Sequence, residues 1–181
     1  MILMADKNIS LELIDVSHSL PIFEMVHQNR VNLRRWLAFV DKMETVAFAE
    51  NFVKGSIKRN LDGVEYAFVI FQGDIAVGRI GVYKIDHQNK IGEIGYWLVN
   101  NAQGKGIMTI ACKEMLRFCF DTLMLHRLEI KCGDGNAKSQ AIAINLGFTC
   151  EGIIRDGECL HVKYIELYIY SLLRYEYHSL K

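Results

Sequence analysis

The sequence predicts an α/β (α+β) protein in which a mixed, mostly antiparallel sheet of seven strands is flanked by about four helices. Three observations lead to this class. Gln72-Gly73-Asp74 separates two apolar runs rich in β-forming residues, which is typical of a hairpin. Residues 103–108 separate a short apolar run from a longer run with helical spacing. A single proline and the lack of repeats or biased segments predict one continuous domain over residues 1–181.

The N-terminal third of the chain predicts one strand and two helices. Residues 9–13 alternate apolar and polar side chains, as a half-buried strand does. Ser17 or Ser19 is positioned to cap a helix that runs to about residue 32, with Pro21 in its first turn, where a missing N–H does no harm. Thr45 is positioned to cap a second helix, because apolar residues follow it at helical spacing.

The remaining elements follow from the same two periodicities. The strand after the long helix must return parallel to residues 91–99 through a right-handed connection. Asn136 is positioned to cap a shorter helix that stops at Gly147. The predicted strands are residues 65–71, 75–83, 91–99, 128–132, 148–154 and 162–173, and the two helices cover residues 106–123 and 136–147.

Gly104 and Gly106 lie where a buried strand gives way to a helix. Without Cβ atoms they permit a sharp turn and the close approach of a ligand to backbone N–H groups. The first amides of a helix have no internal partners and carry the positive end of its dipole, so this turn is an anion site that suits phosphate. Its spacing fits neither a Walker loop nor a dinucleotide fingerprint, since Thr109 stands where the latter needs a third glycine.

Composition narrows the class of protein. Twenty-one basic and twenty-one acidic residues cancel, so nothing supplies the basic stripe that nucleic-acid binding requires. No apolar run approaches the roughly 20 residues needed to span a bilayer, and no signal peptide is visible. The five cysteines include no Cys-x-x-Cys pair and the six histidines lack zinc spacing, which predicts core thiols and no metal site. We therefore expect a reduced, cytoplasmic, soluble protein with no nucleic-acid or membrane partner.

Five sequence motifs, taken together in their order and spacing, resemble those of one enzyme family. The motifs are Leu33 to Leu37, Glu93-Ile94-Gly95-Tyr96-Trp97-Leu98, Gln103 to Thr109, Asn136-x-x-Ser139 with Asn145 to Phe148, and Tyr170 to Arg174. They resemble the GNAT N-acetyltransferases, in particular the RimJ/RimL branch of ribosomal-protein N-terminal acetyltransferases and its YdaF-like bacterial members. Each motif alone is short, but five in the right order are specific.

The resemblance implies the GNAT fold, with a splay between the fourth and fifth strands (residues 91–99 and 128–132), and acetyl-CoA as the cofactor. The CoA pyrophosphate would rest on the backbone N–H groups of residues 104–109, with the pantetheine arm between the splayed strands. Asn136 would hydrogen-bond the pantetheine, and Ser139 would approach the thioester sulfur. The implied cofactor-binding residues are Trp97, Leu98, Val99, Gln103, Gly104, Lys105, Gly106, Ile107, Met108, Thr109, Asn136 and Ser139.

Glu93 is the candidate general base, because burial in an apolar strand would raise the pKa of its carboxyl group. The structural alternative is that Glu93 pairs with Arg79 or Lys90, or faces solvent at a strand end. Ser139 is the candidate hydrogen-bond donor to the leaving thiolate, as the resemblance implies, and a helix-cap role is its alternative.

Trp36, Phe39 and Tyr83 are candidates for the wall of the acceptor site, although aromatic side chains more often belong to a core. The predicted reaction is direct attack of a primary amine on the thioester. A protein N-terminal α-amine is favoured, because at pH 7 about one α-amine in ten is neutral, against about one lysine in a few thousand.

Two alternative functions stay open. A small amine such as a polyamine is the runner-up acceptor, and a non-catalytic acyl-CoA sensor is the alternative from a different class. A homo-oligomer through the tyrosine-rich terminal strand is also open.

Overall fold

The computed structural model describes residues 1–179, in which eight strands form a single sheet. The strands are β1 (Ile2–Met4), β2 (Ile9–Leu13), β3 (Tyr66–Gln72), β4 (Ile75–Asp86), β5 (Ile91–Leu98), β6 (Arg127–Gly133), β7 (Thr149–Leu160) and β8 (Lys163–Leu173). Their spatial order is β1-β2-β3-β4-β5-β6-β8-β7, and every neighbouring pair is antiparallel except β5 with β6. The predicted mixed sheet is confirmed, with one strand more than the seven expected.

The additional strand is β1, in which Ile2 pairs with Glu12 of β2. Three residues are too few for an alternating pattern to be recognised in the sequence. At the other end of the sheet, β8 lies between β6 and β7, so the tyrosine-rich terminal strand is internal and β7 forms the edge.

Six α-helices cover the two faces of the sheet in the described residues. They are α1 (Ser19–Gln28), α2 (Arg30–Leu33), α3 (Val46–Leu61), α4 (Ile107–Arg117), α5 (Ala137–Asn145) and α6 (Arg174–Ser179). The four predicted helices correspond to α1, α3, α4 and α5. α1 and α3 pack against each other and contact β4 and β3, whereas α4 contacts β2, β4 and β5 on the opposite face.

The starts of the helices follow local side-chain chemistry. The N–H of Phe48 donates to Thr45 Oγ1 over 3.1 Å, so Thr45 caps α3 as predicted. The predicted serine cap of the first helix is wrong, because the Asp15 carboxylate accepts the backbone N–H of Ser17 and caps a 3₁₀ turn that precedes α1. That helix is also interrupted at Asn29, whose side-chain amide donates to the Met25 carbonyl and so competes with the helical backbone pattern.

β5 and β6 pair over only three residues. Ile91, Gly92 and Glu93 lie opposite residues 127–129. Beyond that point β5 follows β4 and β6 follows β8, so the two parallel strands diverge. We call the space between residues 94–98 and residues 130–133 the gap. This divergence confirms the predicted splay.

Three cysteines are buried, as the prediction of core thiols requires, but Cys150 and Cys159 are exposed. Both exposed thiols lie on β7, which has a neighbouring strand on one side only. Among residues 1–179, no group of His, Cys, Asp and Glu side chains is arranged to hold a metal ion. None of the helices formed by these residues is long and apolar enough to span a bilayer.

Candidate active site

The glycine turn before α4 has the backbone geometry of an anion site. Gly104 and Gly106 have φ angles of +74° and +77°, in the left-handed region that favours glycine. A Cβ atom at either position would meet no atom within 4 Å, so this side of the turn is open. Within residues 1–179 no side chain caps α4, which leaves its first amides free to bind a ligand. The turn therefore has both the donors and the room that a diphosphate needs.

Gln103 connects the two sides of the gap. Its side-chain Nε2 donates to the Leu98 carbonyl over 3.3 Å, and its Oε1 accepts from Lys138 Nζ over 3.0 Å. Lys138 is in the first turn of α5, two residues after the predicted Asn136 cap. Sequence analysis missed this ammonium group because a single exposed lysine carries no motif.

The end of β5 directs peptide groups into the gap. The N–H of Val99 donates to the Val77 carbonyl over 2.9 Å, toward β4. Because successive residues of a strand point their peptide groups in opposite directions, the N–H of Leu98 points away from β4 and into the gap. The N–H of Leu98 is therefore a donor oriented toward the space between the strands.

Ser139 lies at the second predicted motif, where Asn136 Oδ1 accepts the Ser139 N–H over 3.3 Å and caps α5. The Ser139 hydroxyl donates to the Tyr96 hydroxyl over 3.1 Å, and the Cys132 thiol donates to Ser139 Oγ over 3.3 Å. We call Tyr96, Cys132 and Ser139 the neutral face of the gap. Burial raises the pKa of both the Tyr96 phenol and the Cys132 thiol, so these groups stay protonated.

The opposite face of the gap carries ion pairs. Glu93 Oε2 accepts from Lys131 Nζ over 2.8 Å and from Lys84 Nζ over 3.1 Å. Burial opposes ionisation of Glu93, but the hydrogen bonds and charges of the two ammonium groups outweigh it and lower its pKa. Burial acts on this pKa as predicted, but the predicted net rise is wrong, and the partners are Lys131 and Lys84 rather than Arg79 or Lys90. We call Glu93, Lys84 and Lys131 the charged face.

Arg79 instead belongs to a buried network under α3. Its Nη2 lies 3.2 Å from Glu65 Oε1 and donates to Ser56 Oγ over 2.7 Å. The second Glu65 oxygen accepts from Arg59 Nε over 2.5 Å. The Glu65 and Arg79 side chains are only 5% and 7% exposed, so each charge depends on the other.

Two of the three predicted acceptor-site aromatic residues belong to one stack. Phe39 lies against Phe52 with ring centroids 5.3 Å apart, and the Arg79 guanidinium lies 4.7 Å from the Phe52 ring and 5.7 Å from the Tyr83 ring. Trp36 is separate from the stack. Its ring covers Gly133 at the end of β6, where a Cβ atom would lie 3.4 Å from it.

The tip of the β7–β8 hairpin closes this side of the molecule. His161 Nδ1 lies 2.7 Å from Asp41 Oδ2, and His161 Nε2 lies 2.7 Å from the Arg34 carbonyl oxygen. Asp41 also pairs with the Arg34 guanidinium over 2.6 Å. The hairpin therefore holds the segment that carries Trp36 and Phe39.

A cavity of about 450 Å³ lies next to the charged face. It is lined by Arg59, Val64, Glu65, Tyr83, Lys84 and Glu93. Two carboxylates and two cationic groups therefore line it, and their formal charges cancel.

Glu158 on β7 is a carboxylate that sequence analysis missed. Burial, and then the negative charge of Glu93, raise its pKa, which Lys84 partly opposes. No motif marks this residue, since Arg155, Asp156 and Glu158 together are typical of an ordinary charged hairpin. A carboxyl group with a raised pKa is suited to accept a proton near neutral pH.

An open, uncapped helix start at one end of an opened strand pair, with acid–base groups behind it, is the arrangement expected of an acyltransferase that uses coenzyme A thioesters. The chain belongs to the GNAT acetyltransferase family: residues 9–149 match the model of the acetyltransferase (GNAT) domain. This confirms the family that the five motifs predicted.

Similar proteins agree with this assignment. YdaF of Bacillus subtilis (strain 168), named as a candidate ribosomal N-acetyltransferase, is 31% identical over 179 residues, which cover 97% of each chain. The RimL ribosomal-protein α-N-acetyltransferase, solved with coenzyme A, is 26% identical with a TM-score of 0.93, covering 96% of this chain and 98% of RimL. The microcin self-immunity acetyltransferase MccE, solved with acetyl-CoA and AMP, is 29% identical with a TM-score of 0.90, covering 93% and 94%. The chain is an N-acetyltransferase that uses acetyl-CoA.

Proposed function

We propose that this enzyme acetylates the N-terminal α-amine of a protein by direct attack of the amine on the thioester. The observation that carries the proposal is the charge balance of the cavity beside the gap, whose two carboxylates are matched by two cationic groups. A polyamine carries several positive charges and needs carboxylates that are not already neutralised, whereas a neutral α-amine does not. The similarity to RimL, an α-N-acetyltransferase of a ribosomal protein, supports the same acceptor class.

The open turn is the proposed pyrophosphate site. The amides of residues 104–109 would hold the two phosphate groups, and the positive end of the α4 dipole would favour them. Trp97, Leu98 and Val99 would align the pantetheine arm along β5, with Asn136 at its other side. When bound there, acetyl-CoA supplies an acetyl group activated as a thioester.

The proposed base is Glu158 on β7, whose carboxyl group is influenced by the charges of Glu93 and Lys84. A base must be ionised and still hold a proton well near neutral pH, which favours the raised pKa of Glu158 over the lowered pKa of Glu93. We therefore place proton abstraction at Glu158, directly or through one water. Glu93 with its two lysines fixes the local charge, and its sequence-predicted role as the base is the alternative that the experiment below decides.

The other side of the gap handles the leaving group. The N–H of Leu98 would stabilise the developing oxyanion. The Ser139 hydroxyl would turn its hydrogen from Tyr96 toward the sulfur and stabilise the departing thiolate. Trp36, Phe39 and Tyr83 are proposed to form the wall along which the acceptor approaches.

The acceptor class is tested by hydrolysis-corrected CoA release with three acceptors. These are a lysine-free peptide with a free N-terminus, the same peptide with an acetylated N-terminus and one internal lysine, and spermidine. We expect release only with the first peptide, and mass spectrometry should place the acetyl group on its α-amine. Faster transfer to spermidine would support the small-amine alternative. Tight CoA binding with no release for any acceptor would support the sensor alternative.

The base is tested by comparing the Glu158→Gln and Glu93→Gln variants. We expect Glu158→Gln to lower kcat by about 10²–10⁴-fold and to remove the rise of kcat/KM with pH that reports an ionising carboxyl group. Glu93→Gln should lower kcat less and keep that rise. The opposite result would assign the base to Glu93. Glu50→Gln, at an exposed position on α3, is the matched control and should be silent.

A further inference from the structure

Both walls of the gap and the start of α5 meet at one hydroxyl group. Tyr96 comes from β5, Cys132 from β6 and Ser139 from α5, and Ser139 Oγ lies 3.1 Å from the Tyr96 hydroxyl and 3.3 Å from the Cys132 sulfur. The Tyr96 hydroxyl also donates to the backbone carbonyl of Ser139 over 3.1 Å. The Tyr96 hydroxyl therefore contacts both the side chain and the main chain of Ser139.

The hydrogens of this cluster can rearrange without moving heavy atoms. A hydroxyl group has one hydrogen, which rotates to suit its partners, and two acceptor sites. In one arrangement Ser139 donates to Tyr96 and Tyr96 donates to the Ser139 carbonyl. In the other, Tyr96 donates to Ser139 Oγ, and the Ser139 hydrogen is free to point into the gap. The second arrangement leaves Ser139 aimed at a ligand atom while its oxygen stays held.

Tyr96 is suited to hold Ser139 but not to supply a proton. Burial is the largest of the effects that raise its pKa, so the phenolate does not form in the working pH range. The Cys132 thiol is held neutral in the same way and donates to Ser139 Oγ from the other strand. Ser139 thus has a neutral donor available on each side.

We propose that Tyr96 is a positioning residue of this enzyme: it fixes the Ser139 hydroxyl so that its hydrogen can meet the leaving sulfur. The proposal rests on the role of Ser139 in the proposed function. During transfer a C–N bond forms and the C–S bond breaks, the nitrogen loses its proton to the carboxylate base, and the sulfur leaves with the electron pair. Ser139 donates only a hydrogen bond to that sulfur. When the Ser139 hydrogen turns away from Tyr96, the Tyr96 hydroxyl donates to Ser139 Oγ, so the contact between the two side chains is kept.

The kinetic test is a double-mutant cycle of Tyr96→Phe and Ser139→Ala. We expect Tyr96→Phe to lower kcat about tenfold, with less than a twofold change in the Kd of CoA measured by calorimetry. In the Ser139→Ala background the same substitution should change kcat less than twofold, because the group through which Tyr96 acts is gone. An equal loss in both backgrounds, or an unchanged kcat for Tyr96→Phe, would overturn the proposal.

Tyr170→Phe is the matched control. The Tyr170 hydroxyl also reaches α5, where it lies 3.5 Å from Gln140 Oε1, but its described contacts do not include Ser139. This variant should keep the kcat of the wild type.

Urea unfolding of the same four proteins of the cycle separates this proposal from the function on which it rests. If the hydroxyls hold each other, the loss of stability in the double variant is smaller than the sum of the single losses. Additive losses would reject the Tyr96–Ser139 contact whatever the acceptor is. An unchanged kcat for Ser139→Ala with coupled unfolding would instead reject the proposed role of Ser139, and the role of Tyr96 with it.

Discussion

The two faces of the gap use opposite electrostatics, although β5 and β6 contribute residues to both. On the neutral face, burial keeps Tyr96 and Cys132 protonated, so these groups can only exchange hydrogen bonds. On the charged face, Glu93 stays ionised although it is half-buried, because two ammonium groups hold it. A strand turns successive side chains to opposite faces, so one pair of strands can build both environments. In the proposed function, this difference lets one opening keep the stabilisation of the leaving thiolate apart from the removal of the amine proton.

The largest effect is expected on the affinity for CoA, because the proposed roles of both faces require the bound cofactor. Gly106→Val should weaken CoA binding by at least 100-fold, because a β-branched residue is strained at φ +77° and adds bulk beside the amides. Calorimetric titration with CoA measures this change.

Gly73→Val is the control for backbone strain alone. Gly73 has a φ of +58° in the β3–β4 turn, where a Cβ atom would lie 3.7 Å from Asn8 Oδ1. This variant should lose stability by about 1–3 kcal/mol but keep the wild-type affinity for CoA. Wild-type affinity of Gly106→Val would reject the turn as the pyrophosphate site.

The next largest effect is a loss of fold stability when the buried ion pair between Arg79 and Glu65, near the cavity, is broken. Arg79→Met should destabilise the fold by about 3–5 kcal/mol, because it leaves the buried Glu65 carboxylate with less compensation. Urea denaturation measures the loss. Arg117→Met is the control, since the Arg117 side chain is 48% exposed and its pair with Glu114 should contribute less than about 1 kcal/mol. Equal losses for the two variants would show that burial does not strengthen the Arg79 pair.

A smaller change should appear in the titration of Glu93. Lys131→Gln removes one of its two ammonium partners, so the pKa of Glu93 should rise above its wild-type value. NMR of the Glu93 carboxyl carbon across acidic pH measures the shift. Lys90→Gln, which changes the sequence-predicted partner, should leave that titration in place. A shift of equal size with Lys90→Gln would mean that overall charge, and not the hydrogen bond, sets the value.

The smallest effect is expected at the closed end of the gap. Hydrogen bonds from Arg127 and then Ser171 lower the pKa of Glu151 to about 2. Because the folded pKa lies below the ordinary value, the stabilisation is present above about pH 5 and is lost as the pH falls toward 2.

Glu151→Gln should therefore unfold more easily than the wild type at pH 7, by less than about 1 kcal/mol since the Glu151 side chain is 40% exposed. The difference should shrink between pH 5 and pH 2 in thermal or urea unfolding. Parallel stability curves over that range would contradict the assignment of the lowered pKa to this pair.

Local patterns predicted the cofactor side of the molecule better than the acceptor side. The left-handed glycine turn and the Thr45 and Asn136 caps depend on neighbouring residues, and the structure confirms them. The divergence of the two strands, which the family resemblance implied, is also confirmed. The partners of Glu93 depend on strand register, which places Glu93 opposite Glu129 and beside Lys131, and local spacing does not fix that register.

Long-range contacts were missed for the same reason. Tyr96 and Ser139 are 43 residues apart, so nothing in either motif shows that their hydroxyls meet. The register of β5 and the start of α5 together bring Tyr96 to Ser139. Glu158 was overlooked because its environment is created by β4 and β5 rather than by its own hairpin.

Because the pairing between β5 and β6 ends early, neighbouring backbone N–H groups should exchange with deuterium at different rates. The N–H of Val99 is tied to the Val77 carbonyl, whereas that of Leu98 opens into the space where the strands diverge. One residue of the strand should therefore exchange slowly and the next quickly, with the fast one slowing once coenzyme fills the opening.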